Sequence, residues 1–163
     1  MTHPDIDETP QRGEVPRHLA QRLAALKADA AREAGCFTLA ADTVVAVGRR
    51  ILGKAENAEQ ARACLALLSG RRHCVITAVV LLAPDGRSAQ RLVQSTVAFA
   101  RLTSAQTDAY LASGEWQGKA GGYAIQGRAA AFVRFLSGSY ANVVGLPLFE
   151  TAQLLRGFGC ALA

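Results

Sequence analysis

The chain has no Cys-x-x-C pair, no histidine at metal-ligand spacing from a cysteine, and no apolar run of bilayer-spanning length. Each absence excludes a class of protein. Its four cysteines, Cys36, Cys64, Cys74 and Cys160, stand apart, and all but Cys160 lie in apolar segments. That pattern excludes a disulfide frame and a zinc site, and it fits reduced core thiols in a cytosolic protein. The longest apolar run, 75–83 interrupted by Thr77, is too short to span a membrane, and the opening Met1-Thr2-His3-Pro4-Asp5 is too polar for a signal peptide. The expectation is a soluble, cytoplasmic protein. His3, His18 and His73 show no ligand spacing and receive no role.

Long runs of one charge are also missing. The formal net charge is +5 and the isoelectric point near 9.4, but the arginines are scattered. Arg49-Arg50 and Arg71-Arg72 are the only basic pairs of neighbours, and both read as turns. Without a recognisable motif or an aromatic–basic surface pattern, a nucleic-acid module is disfavoured. A nucleotide's phosphates would use the same positive field.

What is present is ample apolar content, half of 163 residues, enough for one domain. A chain of this length buries roughly 68–70% of its unfolded surface. Residues 1–16 are polar, carry three prolines and read as loop, with Pro16 opening a helix whose stripe is Leu19, Leu23, Leu26, Ala30 and Ala34, stopped by Gly35. Residues 36–47 read as strand. Asn57 and Gln60 cap a helix to Leu68 with the stripe Ala61, Cys64, Leu65 and Leu68, closed by Gly70. Two long strands follow, 73–82 and 90–102, joined through Pro84-Asp85-Gly86-Arg87; the first is apolar on both faces and therefore central. Thr103 and Gln106 cap a short helix to Ser113; 114–122 is glycine-rich and irregular; 123–125 and 130–136 read as strands; and Pro147 opens a last helix, 148–155, ended by Gly157. Trp116 and Tyr123 read as packing residues. The sum predicts a single α/β domain with a mixed β-sheet flanked by helices.

One stretch carries chemistry. An apolar run ends in Asp42, a second run follows, Gly48-Arg49-Arg50 turns the chain, and it returns to Gly53-Lys54. A strand, a hairpin and a short return strand bring an acid and an ammonium close together. A carboxylate able to hold a metal or a water, beside a lysine able to hold a phosphate, is a minimal kit for hydrolysing a phosphoanhydride.

Further along, Tyr110-Leu111-Ala112-Ser113-Gly114-Glu115-Trp116-Gln117-Gly118-Lys119-Ala120-Gly121-Gly122-Tyr123-Ala124-Ile125-Gln126-Gly127 resembles the central signature of the Maf family. Ser137-Gly138-Ser139-Tyr140-Ala141-Asn142-Val143-Val144-Gly145-Leu146-Pro147 resembles its C-terminal one. Ala41-Asp42-Thr43-Val44-Val45 with Ile51-Leu52-Gly53-Lys54, and Leu68-Ser69-Gly70 with His73, Val75 and Thr77, resemble two further blocks, in the family's order. The resemblance implies a Maf/ITPase-like domain over 1–163 and a nucleotide pyrophosphatase. Such an enzyme converts a nucleoside triphosphate and water to the monophosphate and pyrophosphate with a divalent cation, Mg²⁺ or Mn²⁺. It further implies Asp42 as proton acceptor, Lys54 on the phosphate side, Glu8 and Lys27 as further site residues, and Glu8 sharing the metal with Asp42. Thr43 and Gln126 match the dTTP/UTP branch, where the Gln amide offers a donor and an acceptor to a uracil or thymine edge; Lys119 is placed with them on the substrate side. A homodimer is the family's suggestion.

The resemblance breaks at the front. The family normally opens with an apolar strand leading into Ser-x-Ser-Pro-Arg-Arg, and this sequence shows no such motif. The expectation is a domain truncated at its N-terminus, through a late start, as a pseudoenzyme, or with another basic group substituting, Arg12 and Arg17 being nearest; the late start is favoured. Losing the motif would remove strong phosphate contacts and leave an edge in the sheet. The alternative function is a catalytically impaired Maf-like protein that acts by binding, for example in septum formation.

Overall fold

The computed structural model describes residues 5–160; the polar opening 1–4, with His3, lies outside them. Pro16 occupies the first turn of helix α1 (Pro16–Ala30), where its missing N–H costs nothing. The buried stripe is Pro16, Leu19, Ala20, Leu23, Ala24 and Ala28. Leu26, three residues on from Leu23, falls beside the buried stripe and faces water, and the helix ends at Ala30, short of Ala34.

Strand β1 (Thr38–Val47) turns through Gly48 and Arg49 into β2 (Arg50–Leu52), with Val47 opposite Arg50. Gly48 takes φ +58°, which a side chain would penalise. Asn57 accepts from the Gln60 N–H and starts α2 (Ala58–Leu68). β3 (Arg72–Leu82) and β4 (Ser88–Phe99) form a long hairpin closed by the loop 83–87. A full capping box between Thr103 and Gln106 opens α3 (Ser104–Ala112). After an irregular stretch come a 3-10 turn (Arg128–Phe132), β5 (Val133–Ser137), α4 (Tyr140–Val144) and α5 (Leu148–Gly157).

Among the described residues the strands run β2-β1-β3-β4-β5, with β3 central as its apolar pattern required. The α/β class holds, but every pairing is antiparallel, so the described sheet is not mixed. The crossover through α2 carries the chain from β2 over β1 to β3, and its two parallel strands are never neighbours. Side chains alternate along β1 and β3: Val44, Ile76, Ala78 and Val80 pack on α1, while Val45 and Val75 join the core under α2 and α3.

The structure departs locally from the sequence reading. Residues 123–125 are not a strand, and 130–132 lie in the 3-10 turn; Tyr123, Ile125 and Phe132 reach the core without a ladder. Helix α4, opened by the Ser139 hydroxyl, falls in a stretch to which the sequence reading assigned no element. Cys64 and Cys74 are half-buried and pack against the core, whereas Cys36 is exposed and is no core thiol; all four cysteines are unpaired. Each basic pair straddles a turn and the first residue of a strand. No described helix is long and apolar enough to cross a membrane.

His73, which had no assigned role, is buried edge-on against Phe99 and Tyr123, and its Nε2 lies 2.8 Å from the Tyr123 hydroxyl. Its Nδ1 has no partner among the described residues, and burial lowers its pKa to about 4. The folded state therefore holds this ring neutral while the unfolded state, near 6.5, protonates it. Its contribution is complete above pH 6.5 and is lost as pH falls towards 4, by about 3 kcal/mol there. Denaturant titrations from pH 7 to 4 should show a weaker pH dependence for His73→Phe than for the unsubstituted protein; equal slopes would refute it.

Candidate active site

On its outer side β1 is paired by β2 only at Val45–Val47, so among the described residues the edge at 38–44 has no strand partner. A cavity of about 870 Å³ runs along this open edge. It touches both faces of the sheet. Glu8, Lys27 and Asp42 reach it from the α1 side, and Tyr123, Gln126 and 143–145 from the other.

Four charged side chains meet at the α1 side. Lys27 Nζ lies 2.5 Å from Asp42 Oδ1 and 2.8 Å from Glu8 Oε1. Glu8 Oε2 lies 2.7 Å from Lys54 Nζ. Acid and ammonium alternate along the chain Asp42–Lys27–Glu8–Lys54, two of each. The expected closeness of Asp42 and Lys54 is thus bridged by Glu8 and Lys27. Local structure explains each placement. Asp42 shares the α1 face of β1 with Val44; Lys27 stands in the last turn of α1. Lys54 follows β2 and is fixed by a backbone bridge to Ala120. The segment carrying Glu8 is tied to α1 by Arg22, which donates to the Thr9 carbonyl and to both Glu14 oxygens. That hydrogen bonding to Arg22 holds the Glu14 carboxyl down at about 2.

Burial sets the protonation behaviour of the site. Asp42 is 7% exposed, and desolvation raises its pKa above the ordinary aspartate value even though Lys27 pulls it down. For Glu8 desolvation also pushes upward, but hydrogen bonds from Lys27 and Lys54 win and its pKa falls. Burial pulls Lys27 down, yet its bonds to Asp42 and Glu8 raise it overall. The result is a relatively basic buried carboxylate beside a firmly charged lysine.

Thr43 points to the opposite face from Asp42. There its hydroxyl meets Thr77 at 2.9 Å. Gln126 and Lys119 are exposed on a loop pinned in two places. The Gly121 N–H reaches the Leu52 and Gly53 carbonyls at 3.2 and 3.0 Å, and a Cβ at Gly121 would come within 2.9 Å of Val45. Glu115 accepts the Arg128 N–H at 2.7 Å, and a Cβ on Gly127 would strike that carboxylate. All seven residues singled out from sequence, Glu8, Lys27, Asp42, Thr43, Lys54, Lys119 and Gln126, line one cavity. Sequence reasoning missed Tyr123 as a wall residue, the wall 143–145 and the Glu115 clamp. Ser139 with Asn142 three residues on is a helix-cap spacing that would have flagged α4 and its wall.

No three His, Cys, Asp or Glu side chains among the described residues gather as a metal cage. Asp42 and Glu8 supply hard carboxylate oxygens, two of them, on either side of Lys27. That donor set fits Mg²⁺ or Mn²⁺, which bind through one or two carboxylates and take their other ligands from water and phosphate.

The sequence model of the Maf-like proteins matches residues 1–158. A dTTP/UTP pyrophosphatase of Granulibacter bethesdensis is 65% identical over 171 residues, which cover 95% of this chain and 80% of that protein. Those of Gluconobacter oxydans and Paramagnetospirillum magneticum are 63% and 62% identical, covering 94% and 96% of this chain and 73% and 83% of their own length.

Removing the cation from the buried pair tests the electrostatics directly. Lys27→Met should move the Asp42 carboxyl titration, followed by carbon NMR, further upward and destabilise the fold by about 1–3 kcal/mol. Glu8→Gln, at a more exposed position, should cost less than about 1 kcal/mol.

Proposed function

Since the chain belongs to the Maf-like protein family, we propose that it is a nucleoside triphosphate pyrophosphatase that converts dTTP and UTP to the monophosphate and pyrophosphate. The observation that supports this most is the alternating chain Asp42–Lys27–Glu8–Lys54 opening into the cavity that Gln126 and Lys119 also line. The 65% identical relative bears that activity as its name.

In this reading Asp42 takes the proton from the attacking water. Lys27 holds its carboxylate in place for that transfer. Lys54 is 52% exposed and faces the cavity, so its ammonium can leave Glu8 for a phosphate oxygen. Lys119 lies on the same cavity with no carboxylate partner among the described residues and adds a second phosphate contact. A divalent cation held by Asp42 and Glu8 would neutralise phosphate charge and acidify the attacking water. Gln126 meets the base with its amide and Thr43 with its hydroxyl. The four unpaired thiols support a reducing, cytoplasmic setting.

Pyrophosphate release from dTTP, UTP, CTP and GTP with Mg²⁺ or Mn²⁺ tests the proposal. Turnover should favour dTTP and UTP, vanish with chelator, and fall about 10²–10⁴-fold in Asp42→Asn. Because the base must be ionised, kcat/KM should decline on acidification. Nucleotide binding without turnover would favour the binding role.

A further inference from the structure

The wall 143–145 is held by buried polar side chains that the proposed chemistry does not use. Thr77, Ser95 and Asn142 are each at most 1% exposed. Asn142 donates its two amide protons to the Val75 carbonyl at 3.1 Å and to Ser95 Oγ at 3.0 Å. Ser95 Oγ also accepts the Ser139 N–H and donates to the Ser139 carbonyl. Thr77 donates to the Asn142 carbonyl at 3.2 Å. The network ends at the cavity, because Thr77 stands directly across the strand pair from Thr43 and their hydroxyl oxygens are 2.9 Å apart.

A hydroxyl has one proton, and that count limits what Thr43 can offer. If Thr77 donates to the Asn142 carbonyl, the 2.9 Å contact is made by Thr43 donating to Thr77. If Thr77 donates to Thr43 instead, the Thr43 proton turns to the Gly145 carbonyl at 3.4 Å. In both arrangements the protein offers the Thr43 proton an inward acceptor, close at Thr77 and weak at the Gly145 carbonyl, which leaves the Thr43 lone pairs for the cavity.

We infer that Thr77 is a positioning residue for specificity. It fixes Thr43 as an acceptor, so the site takes a base whose edge carries a ring N–H, the imide of uracil or thymine, over cytosine, whose corresponding ring nitrogen only accepts. The inference rests on the reading of the protein as a dTTP/UTP pyrophosphatase. A polar site left with an unmatched partner rejects it strongly, because both groups lose water without gaining a bond.

The test compares kcat/KM for UTP, CTP and N3-methyl-UTP in the unsubstituted protein, Thr77→Val and Thr77→Ser. The unsubstituted protein should prefer UTP over both others by about tenfold or more. Thr77→Val keeps the shape but frees the Thr43 proton, and should shrink that preference to within about threefold, mainly through KM for UTP; Thr77→Ser should restore it. A folded Thr77→Val with the preference intact overturns the inference. So does equal use of UTP and N3-methyl-UTP by the unsubstituted protein, a result that needs no variant. A protein that cleaves and binds none of the three overturns the pyrophosphatase reading, and the inference falls with it.

Discussion

A carboxylate set into a buried strand stays ionised only if a cation is brought to it, and here that cation is Lys27. The rest of the site follows from this pairing. It requires the last turn of α1 to cross β1 at Asp42, which the apolar stripe of α1 enforces by packing on Val44, Ile76 and Ala78. It leaves a second face of the same ammonium for Glu8, which in turn orders the incoming segment and reaches Lys54. Remove the pairing and three elements lose their common anchor.

Under the proposed function the neutrality of this cluster has a chemical use. Its two ammonium groups are already compensated, so an arriving polyphosphate meets partners that must be exchanged and not a bare positive pit. Exposed Lys54 exchanges most cheaply, since a surface pair is worth about 1 kcal/mol or less. The buried Asp42–Lys27 pair holds, so under the proposed function Asp42 stays oriented while Lys54 rearranges.

Much of this was legible in the residues. Asn57 with Gln60 and Thr103 with Gln106 announced their helices, because a cap is a local contest won within four residues. The Gly48 hairpin and the central place of β3 were equally plain. Tyr123 misled because aromatic and β-branched residues read as strand, whereas its ring is drawn inward by His73 and Phe99 from a turn. The role of Glu8 as a bridge had no local signature at all. Its partners stand 19 and 46 residues away, and only the tertiary fold decides that they meet. The antiparallel pairing was hidden for a similar reason: a crossover helix normally joins parallel neighbours, and nothing local says that β1 will slip between them.

The span between Thr43 and Gly145, 102 residues, also has a kinetic meaning. The β3–β4 hairpin closes over five residues and can form while the chain is still being made, but the cavity joins segments from both ends. Loop-closure entropy makes such distant joins late events. On the ribosome Glu8, Lys27, Asp42 and Lys54 emerge well before the wall beside Thr43, which is a hundred and two residues further along. A nascent chain that has not passed Gly145 therefore carries no complete site.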